Sequence, residues 1–241
     1  MTDFENFKSY IIEKYPNYRF SWEIFTDRIL KHLDQEPYWL DIGAGPNILI
    51  EEQPGAEFAV GIDIEKPKKC FRDSNSVFCL SSAYNIPIRN NTFDFITSRY
   101  TFEHLKFPGK SIAEIIRVLK PGGTFIMQTT NTKNPFLLLV RLIPYPLRKI
   151  IIRRFFKAEP DSIFKTYYKI NTPSAIKSLN MSHLIKENLI LQELILVEDI
   201  FCHSKLLFTI SFQMYKLLKL MGANSMMGNM IAVFKKKNLP E

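Results

Sequence analysis

The chain has 241 residues, 46% of them hydrophobic and 23% charged, which fits one elaborated globular domain, or at most two small ones, and excludes disordered, collagen-like and low-complexity classes. The formal net charge is +8, but seven bases and no acid lie between Lys133 and Lys157. The rest is nearly neutral, unlike a uniformly basic nucleic-acid binder. Cys70, Cys79 and Cys202 offer neither an even disulfide set nor a C-x-x-C pair, so a reducing, cytoplasmic setting and no bound metal are expected.

Residues 3–36 carry apolar positions at helical spacing, broken by Pro16, and predict two helices. The residues Met1 to Glu5 are acidic with no apolar run after them, so no secretory signal is expected. No stretch reaches the roughly 18 uninterrupted apolar residues of a spanning helix. From Pro37 onward, short apolar runs predict strands at Tyr38–Ile42, Phe58–Ile62, Val77–Leu80, Phe93–Thr97 and Thr124–Thr129. A helix over Gly109–Leu119 is closed by Lys120-Pro121-Gly122-Gly123. After Asn131 the basic, apolar segment intervenes. The alternation resumes at Thr172-Pro173, an N-cap followed by a first-turn proline, with a helix expected to about Lys186. Asn188 is expected to take a left-handed turn before a strand at Leu189–Val197; Phe201–Leu220 predicts a helix and Asn229–Phe234 a last strand. Strands alternating with helices imply an α/β fold with a mostly parallel, doubly wound sheet.

The strongest motif is Trp39-Leu40-Asp41-Ile42-Gly43-Ala44-Gly45, an apolar strand entering a glycine turn. Glycines there let a ligand approach the backbone at the carboxyl end of a strand, where open α/β sheets bind ligands. Val60-Gly61-Ile62-Asp63 adds a strand ending in an acid 20 positions after Gly43, suited to accept from ribose hydroxyls. A dinucleotide fingerprint would need a third glycine where Ile48 stands, so NAD is disfavoured. No phosphate-binding Gly-x4-Gly-Lys loop is present.

These residues resemble the class I S-adenosylmethionine (SAM) dependent methyltransferases, specifically the "methyltransferase type 11"-like group acting on small molecules, lipids and sugars. The resemblance runs from about Tyr38 to Asn131 and includes Ser82-Ala83-Tyr84-Asn85-Ile86-Pro87, Asn91-Thr92-Phe93-Asp94, Glu103-His104-Leu105 and Ile115 to Gly123. It implies a Rossmann-like seven-stranded sheet with an antiparallel last strand and a helical cap insertion. The division it implies is N-terminal helices at 1–36, a SAM-binding core at 37–132, a basic cap at 133–170 and the rest of the sheet at 171–241. Asp41, Gly43 and Gly45 are implied around the methionine part of SAM, Asp63 at the ribose, and Ser82 and Ala83 at the adenine, with Ala44, Ile64 and Arg99 as further cofactor-binding residues. Ser82 stands where the family commonly has Asp, a weaker acceptor for an amino group.

Methyl transfer from a sulfonium needs mainly alignment and exclusion of water. A hydroxyl acceptor also needs a general base. His104 is the best-placed base, with Glu103 beside it; Tyr100, Tyr167, Tyr168 and His183 are further candidates for the acceptor pocket. Thr97-Ser98-Arg99-Tyr100 replaces the Asn/Asp-Pro-Pro-Tyr sequence of the amino-group methylases, so amino methylation of nucleic acid or protein is disfavoured. The expected activity is methyl transfer to a small-molecule, lipid-linked or sugar acceptor at oxygen; the alternative is a catalytically inactive methyltransferase-like scaffold. Leu147–Lys157, read as a helix, sets Phe and Ile residues against bases. That pattern fits a lid over the site, or contact of residues 134–157 with an anionic membrane at its inner face.

Overall fold

The computed structural model describes residues 3–45, 49–66, 75–144, 147, 164–179, 188–199 and 204–238. Helices α1 (Asp3–Lys14) and α2 (Ser21–Leu33) come first, followed by β1 (Tyr38–Ile42), α3 (Leu49–Glu52), β2 (Phe58–Asp63), β3 (Ser76–Leu80) and β4 (Phe93–Arg99). Then follow α4 (Pro108–Val118), β5 (Leu119–Thr130), α5 (Pro135–Leu142), α6 (Pro173–Leu179), β6 (Leu189–Val197), α7 (Lys205–Leu220) and β7 (Asn229–Lys236). The strands form one seven-stranded sheet in the order β3-β2-β1-β4-β5-β7-β6. β7 runs antiparallel to both β5 and β6, and the other pairs are parallel, as the family pattern implies.

Strand alternation distributes the core between the two faces. Leu40 and Ile42 join Ile112, Ile115 and Ile116 of α4 on one side, while Trp39 joins Phe25, Ile29 and Leu33 of α2 on the other. A third, aromatic cluster (Phe7, Phe20, Phe208 with Tyr15, Tyr18 and Phe212) holds α1 against α7. Pro108 opens α4 at a position whose N–H would have no intrahelical partner. The Thr172 hydroxyl accepts from the Ala175 N–H at 3.0 Å, the cap expected from the sequence.

Some local expectations are corrected. Lys120 to Gly123 lie inside β5, as an irregularity in its pairing with β4, with Gly122 at φ +73°. Asn188 is not among the residues with positive φ; its carbonyl instead accepts from the Lys237 N–H at 2.8 Å. The α7 helix begins at a Ser204 cap, whose hydroxyl accepts from the Leu207 N–H. Expectations for Ile48, Cys70, His183, Cys202 and most of Leu147–Lys157 lie outside the described residues.

β7 runs two residues past Phe234, and this buries Lys236 at 9% exposure. Its ammonium donates to the carbonyls of Ile116 (2.6 Å) and Leu119 (2.7 Å) and to Asn91 Oδ1 (2.9 Å), which satisfies the C-terminal end of α4. We predict that Lys236→Met leaves those acceptors unsatisfied and lowers unfolding free energy by about 2–3 kcal/mol in denaturant titration. An unchanged midpoint would contradict this.

Candidate active site

At the carboxyl ends of β1, β2 and β4 lies a cavity of about 420 Å³, within the range of small-molecule sites. Its wall begins with the glycine turn. Gly43 and Gly45 have φ of +75° and +51°, the left-handed region that side chains disfavour. The N–H groups of Gly43 and Ala44 both donate to the Ile62 carbonyl (2.9 and 3.0 Å), which ties the turn to β2. Asp63 at the end of β2 accepts from the Gly45 N–H at 2.7 Å and from the Glu65 N–H at 3.0 Å, one bond per carboxylate oxygen. Each oxygen retains acceptor capacity for a ligand hydroxyl.

Of the expected cofactor residues, Gly43, Gly45, Asp63, Ile64, Ser82, Ala83 and Arg99 line the cavity. Ser82 is committed in part to its own turn, since its Oγ accepts from the Tyr84 N–H at 3.2 Å. Ala44 and Asp41 do not line the cavity; both are buried below the turn. Alternation puts Asp41 on the Trp39 side of the sheet, where Thr97 Oγ1 donates to its carboxylate at 2.6 Å and accepts from the Trp39 indole at 2.8 Å.

The opposite wall is built by the chain after β4. Tyr100 has φ +55°, a strained conformation held from β5: its N–H donates to the Gln128 carbonyl, and its hydroxyl accepts from Gln128 Nε2, both at 2.8 Å. Thr101 Oγ1 donates to the Ile42 carbonyl at 3.1 Å and so bridges β4 back to the glycine turn. His104 lines the cavity and packs edge-on to Phe164, while its Nδ1 lies 3.1 Å from the Lys165 carbonyl. A carbonyl can only accept, so Nδ1 carries the proton and the lone pair resides on Nε2. Burial holds the imidazole below its usual pKa, partly offset by that bond, so it is neutral at pH 7.

Glu103 is adjacent in sequence but not in the cavity. In the tight turn at Phe102–His104, successive side chains diverge, and the Glu103 carboxyl is buried at 4% exposure, accepting from Thr129 Oγ1 at 2.8 Å. Its backbone carbonyl accepts from the Tyr167 and Tyr168 N–H groups, which pins residues 164–170 as a strap beside His104. Tyr167 and Tyr168 themselves stay off the cavity wall. The sequence reading also missed Thr101, Leu105 and Phe164 as wall residues; only Leu105, inside the Glu103-His104-Leu105 piece, carried any signal.

Burial raises the pKa of both Asp41 and Glu103 to about 7. A carboxyl group raised above its unfolded value contributes stability that is present below the unfolded pKa and lost as pH rises through the folded one. We predict that thermal stability falls between about pH 4 and pH 7, by at most a few kcal/mol per group. Asp41→Asn and Glu103→Gln should each remove about one proton's worth of this slope; an unchanged slope in both would contradict the assignment.

Residues 40–127 match a family model described as "Methyltransferase domain". An uncharacterised methyltransferase of Schizosaccharomyces pombe is 28% identical over 119 residues, covering 42% of each chain. The mitochondrial 2-methoxy-6-polyprenyl-1,4-benzoquinol methylase of Danio rerio is 31% identical over 120 residues, covering 46% of this chain and 36% of that one. A solved S-adenosylmethionine dependent methyltransferase from Mesorhizobium loti superimposes with a TM-score of 0.52 at 14% identity, over 86% of this chain and 96% of the other. The chain spans less than half the length of the curated relatives it matches.

Proposed function

The chain carries a domain of the class I SAM-dependent methyltransferase family, and on that premise we propose that its cavity binds SAM and that His104 serves methyl transfer to an oxygen of a small-molecule acceptor. The observation that carries this reading is the pairing, across one cavity, of the glycine turn and Asp63 with a neutral histidine whose lone pair is on Nε2.

The residues present fit the cofactor. Backbone at Gly43 and Gly45 forms the wall without side chains, and the Asp63 carboxylate is suited to the ribose hydroxyls. Ser82 and Ala83 would flank the adenine, and no phosphate site is needed. SAM, when bound, supplies a methyl group already activated on sulfur. The protein's share is to orient and to exclude water, with the 164–170 strap beside His104 on the side proposed for the acceptor. His104 Nε2 accepts the hydroxyl proton as the oxygen becomes the nucleophile, and the Lys165 carbonyl stabilises the resulting imidazolium through Nδ1–H. The name of the Danio rerio relative suggests a phenolic or quinol acceptor, a class whose hydroxyl such a base can deprotonate; lipid-linked and sugar hydroxyls are the other acceptors this chemistry fits.

Calorimetric titration with SAM tests the binding step, and release of S-adenosylhomocysteine across a panel of quinols, phenols and sugar alcohols tests the transfer. Absence of binding at millimolar SAM would sink the reading. Binding without turnover across the panel would favour a scaffold instead.

A further inference from the structure

We propose that α7, together with the basic groove on its flank, is a docking surface for an anionic lipid bilayer. The proposal goes beyond the methyltransferase reading and does not depend on it.

The inward face of α7 is fully used, since Phe208, Ser211 and Tyr215 are buried. The outward face is apolar as well. Leu206, Ile210, Leu217 and Leu220 are 69%, 50%, 56% and 87% exposed. At about 100° per residue they fall within roughly an 80° arc opposite the buried residues. Met221, at 70%, continues the stripe. Water-facing residues of a globular helix are normally polar, so an exposed arc that is apolar at both ends of the helix, with Gln213 as its polar member near the middle, marks a contact surface. The neighbouring α5 repeats the pattern, with Leu139 and Leu142 exposed at 62% and 81%. Asn134 links the two helices: its amide donates to the Tyr215 hydroxyl, and its Oδ1 accepts from the first N–H groups of α5.

The charges around the stripe select the partner. The α7 sequence contains no Asp or Glu, and Lys205 and Lys216 border its apolar arc. On that flank a groove of about 510 Å³ between α7 and the Pro16 turn is lined by Lys14, Arg19, Lys216 and Lys219, with Glu198 as its one acid. Glu198 is taken by Lys219, and Asp27 takes Arg19. Lys216 lies over the rings of Phe212 (5.0 Å) and Tyr15 (5.4 Å), with its charge still available.

A second copy meeting this face across a two-fold axis would set lysines against lysines with no carboxylate on the helix to answer them. A bilayer rich in anionic lipid answers both halves: acyl chains accept the leucines, and phosphates accept the lysines, whose stems reach outward from a helix lying in the interface.

The full-length protein should co-float with vesicles of equimolar phosphatidylcholine and phosphatidylglycerol, and much less with phosphatidylcholine alone. Binding should weaken as salt rises from about 0.1 M to about 1 M, where the screening length falls from about 10 Å to about 3 Å. Leu206→Gln/Leu217→Gln/Leu220→Gln should weaken binding by about tenfold or more, because withdrawing even two methylenes from lipid costs that much. Lys205→Gln/Lys216→Gln should abolish the preference for the anionic vesicles. All these positions face water, so circular dichroism and SAM titration should match the unaltered protein. A wild type that ignores anionic vesicles would overturn the proposal. Equal binding by the leucine variant would do the same, placing the contact elsewhere on the chain. So would light scattering that finds a dimer which the leucine variant breaks, assigning the face to a second copy.

Discussion

His104→Asn should lose about 100- to 10,000-fold in turnover, the usual contribution of a positioned general base, while SAM affinity stays within about twofold. Asparagine is the informative replacement because its amide nitrogen can take the place of Nδ1–H and keep the bond to the Lys165 carbonyl, yet nothing remains at the Nε2 position. The strap then keeps its contact and only the base is removed. His104→Ala loses both, and its extra loss over Asn measures what the strap contributes to orienting the acceptor. The pH profile gives a second readout. A buried imidazole with a lowered pKa is neutral at lower pH than usual, so the wild-type rate should climb through a midpoint below the ordinary 6.5. That limb should vanish in the Asn variant. An Asn variant with wild-type rate and the same limb would remove His104 from the chemistry and leave alignment alone as the source of rate.

Gly43→Ala should raise the SAM dissociation constant by at least about tenfold and lower the melting temperature by several degrees. An added Cβ would stand 2.0 Å from Thr101 Oγ1, 2.7 Å from its Cγ2 and 2.9 Å from its Cβ. Thr101 cannot easily turn aside, because its hydroxyl is held by the Ile42 and Arg99 carbonyls between β1 and β4. The positive φ adds roughly 1–2 kcal/mol of its own, and overpacking typically costs a further 1–3 kcal/mol. Thr101→Gly on this background should restore the steric part and leave the conformational part, separating the two causes in one double-mutant cycle. If Gly43→Ala binds SAM as tightly as the wild type, the glycine turn is not the wall on which the cofactor rests.

Much of the nucleotide half was legible because its signals are local. A glycine turn after an apolar strand, an acid closing the next strand 20 positions later and the apolar period of α4 all act within one or two elements, where backbone preference and periodicity decide the outcome. The order of elements likewise foretold a parallel sheet, and the family resemblance its reversed last strand. Lys236 marks the limit of that reading. The last strand was expected to stop at Phe234, yet Lys236 belongs to it and is buried beneath α4, where acceptors on residues 91, 116 and 119 meet it.

The His104 side of the cavity was decided by distant contacts. Asp41 and Glu103 sit beside cavity residues in sequence, but Asp41 bonds Thr97 and Glu103 bonds Thr129, so strand alternation and a tight turn aim both away from the cavity. Phe164 and Lys165 reach His104 across about sixty positions because the Glu103 carbonyl and the bonds of Asn171 to Thr129, Thr130 and Thr132 anchor the strap. The second apolar face of α7 could be recognised only once Phe208 and Tyr215 had been assigned to the inside. Short-range order follows from backbone conformation and the apolar period, which neighbouring residues specify. Which polar group meets which, and which apolar face is left over, follows from the packing of whole elements.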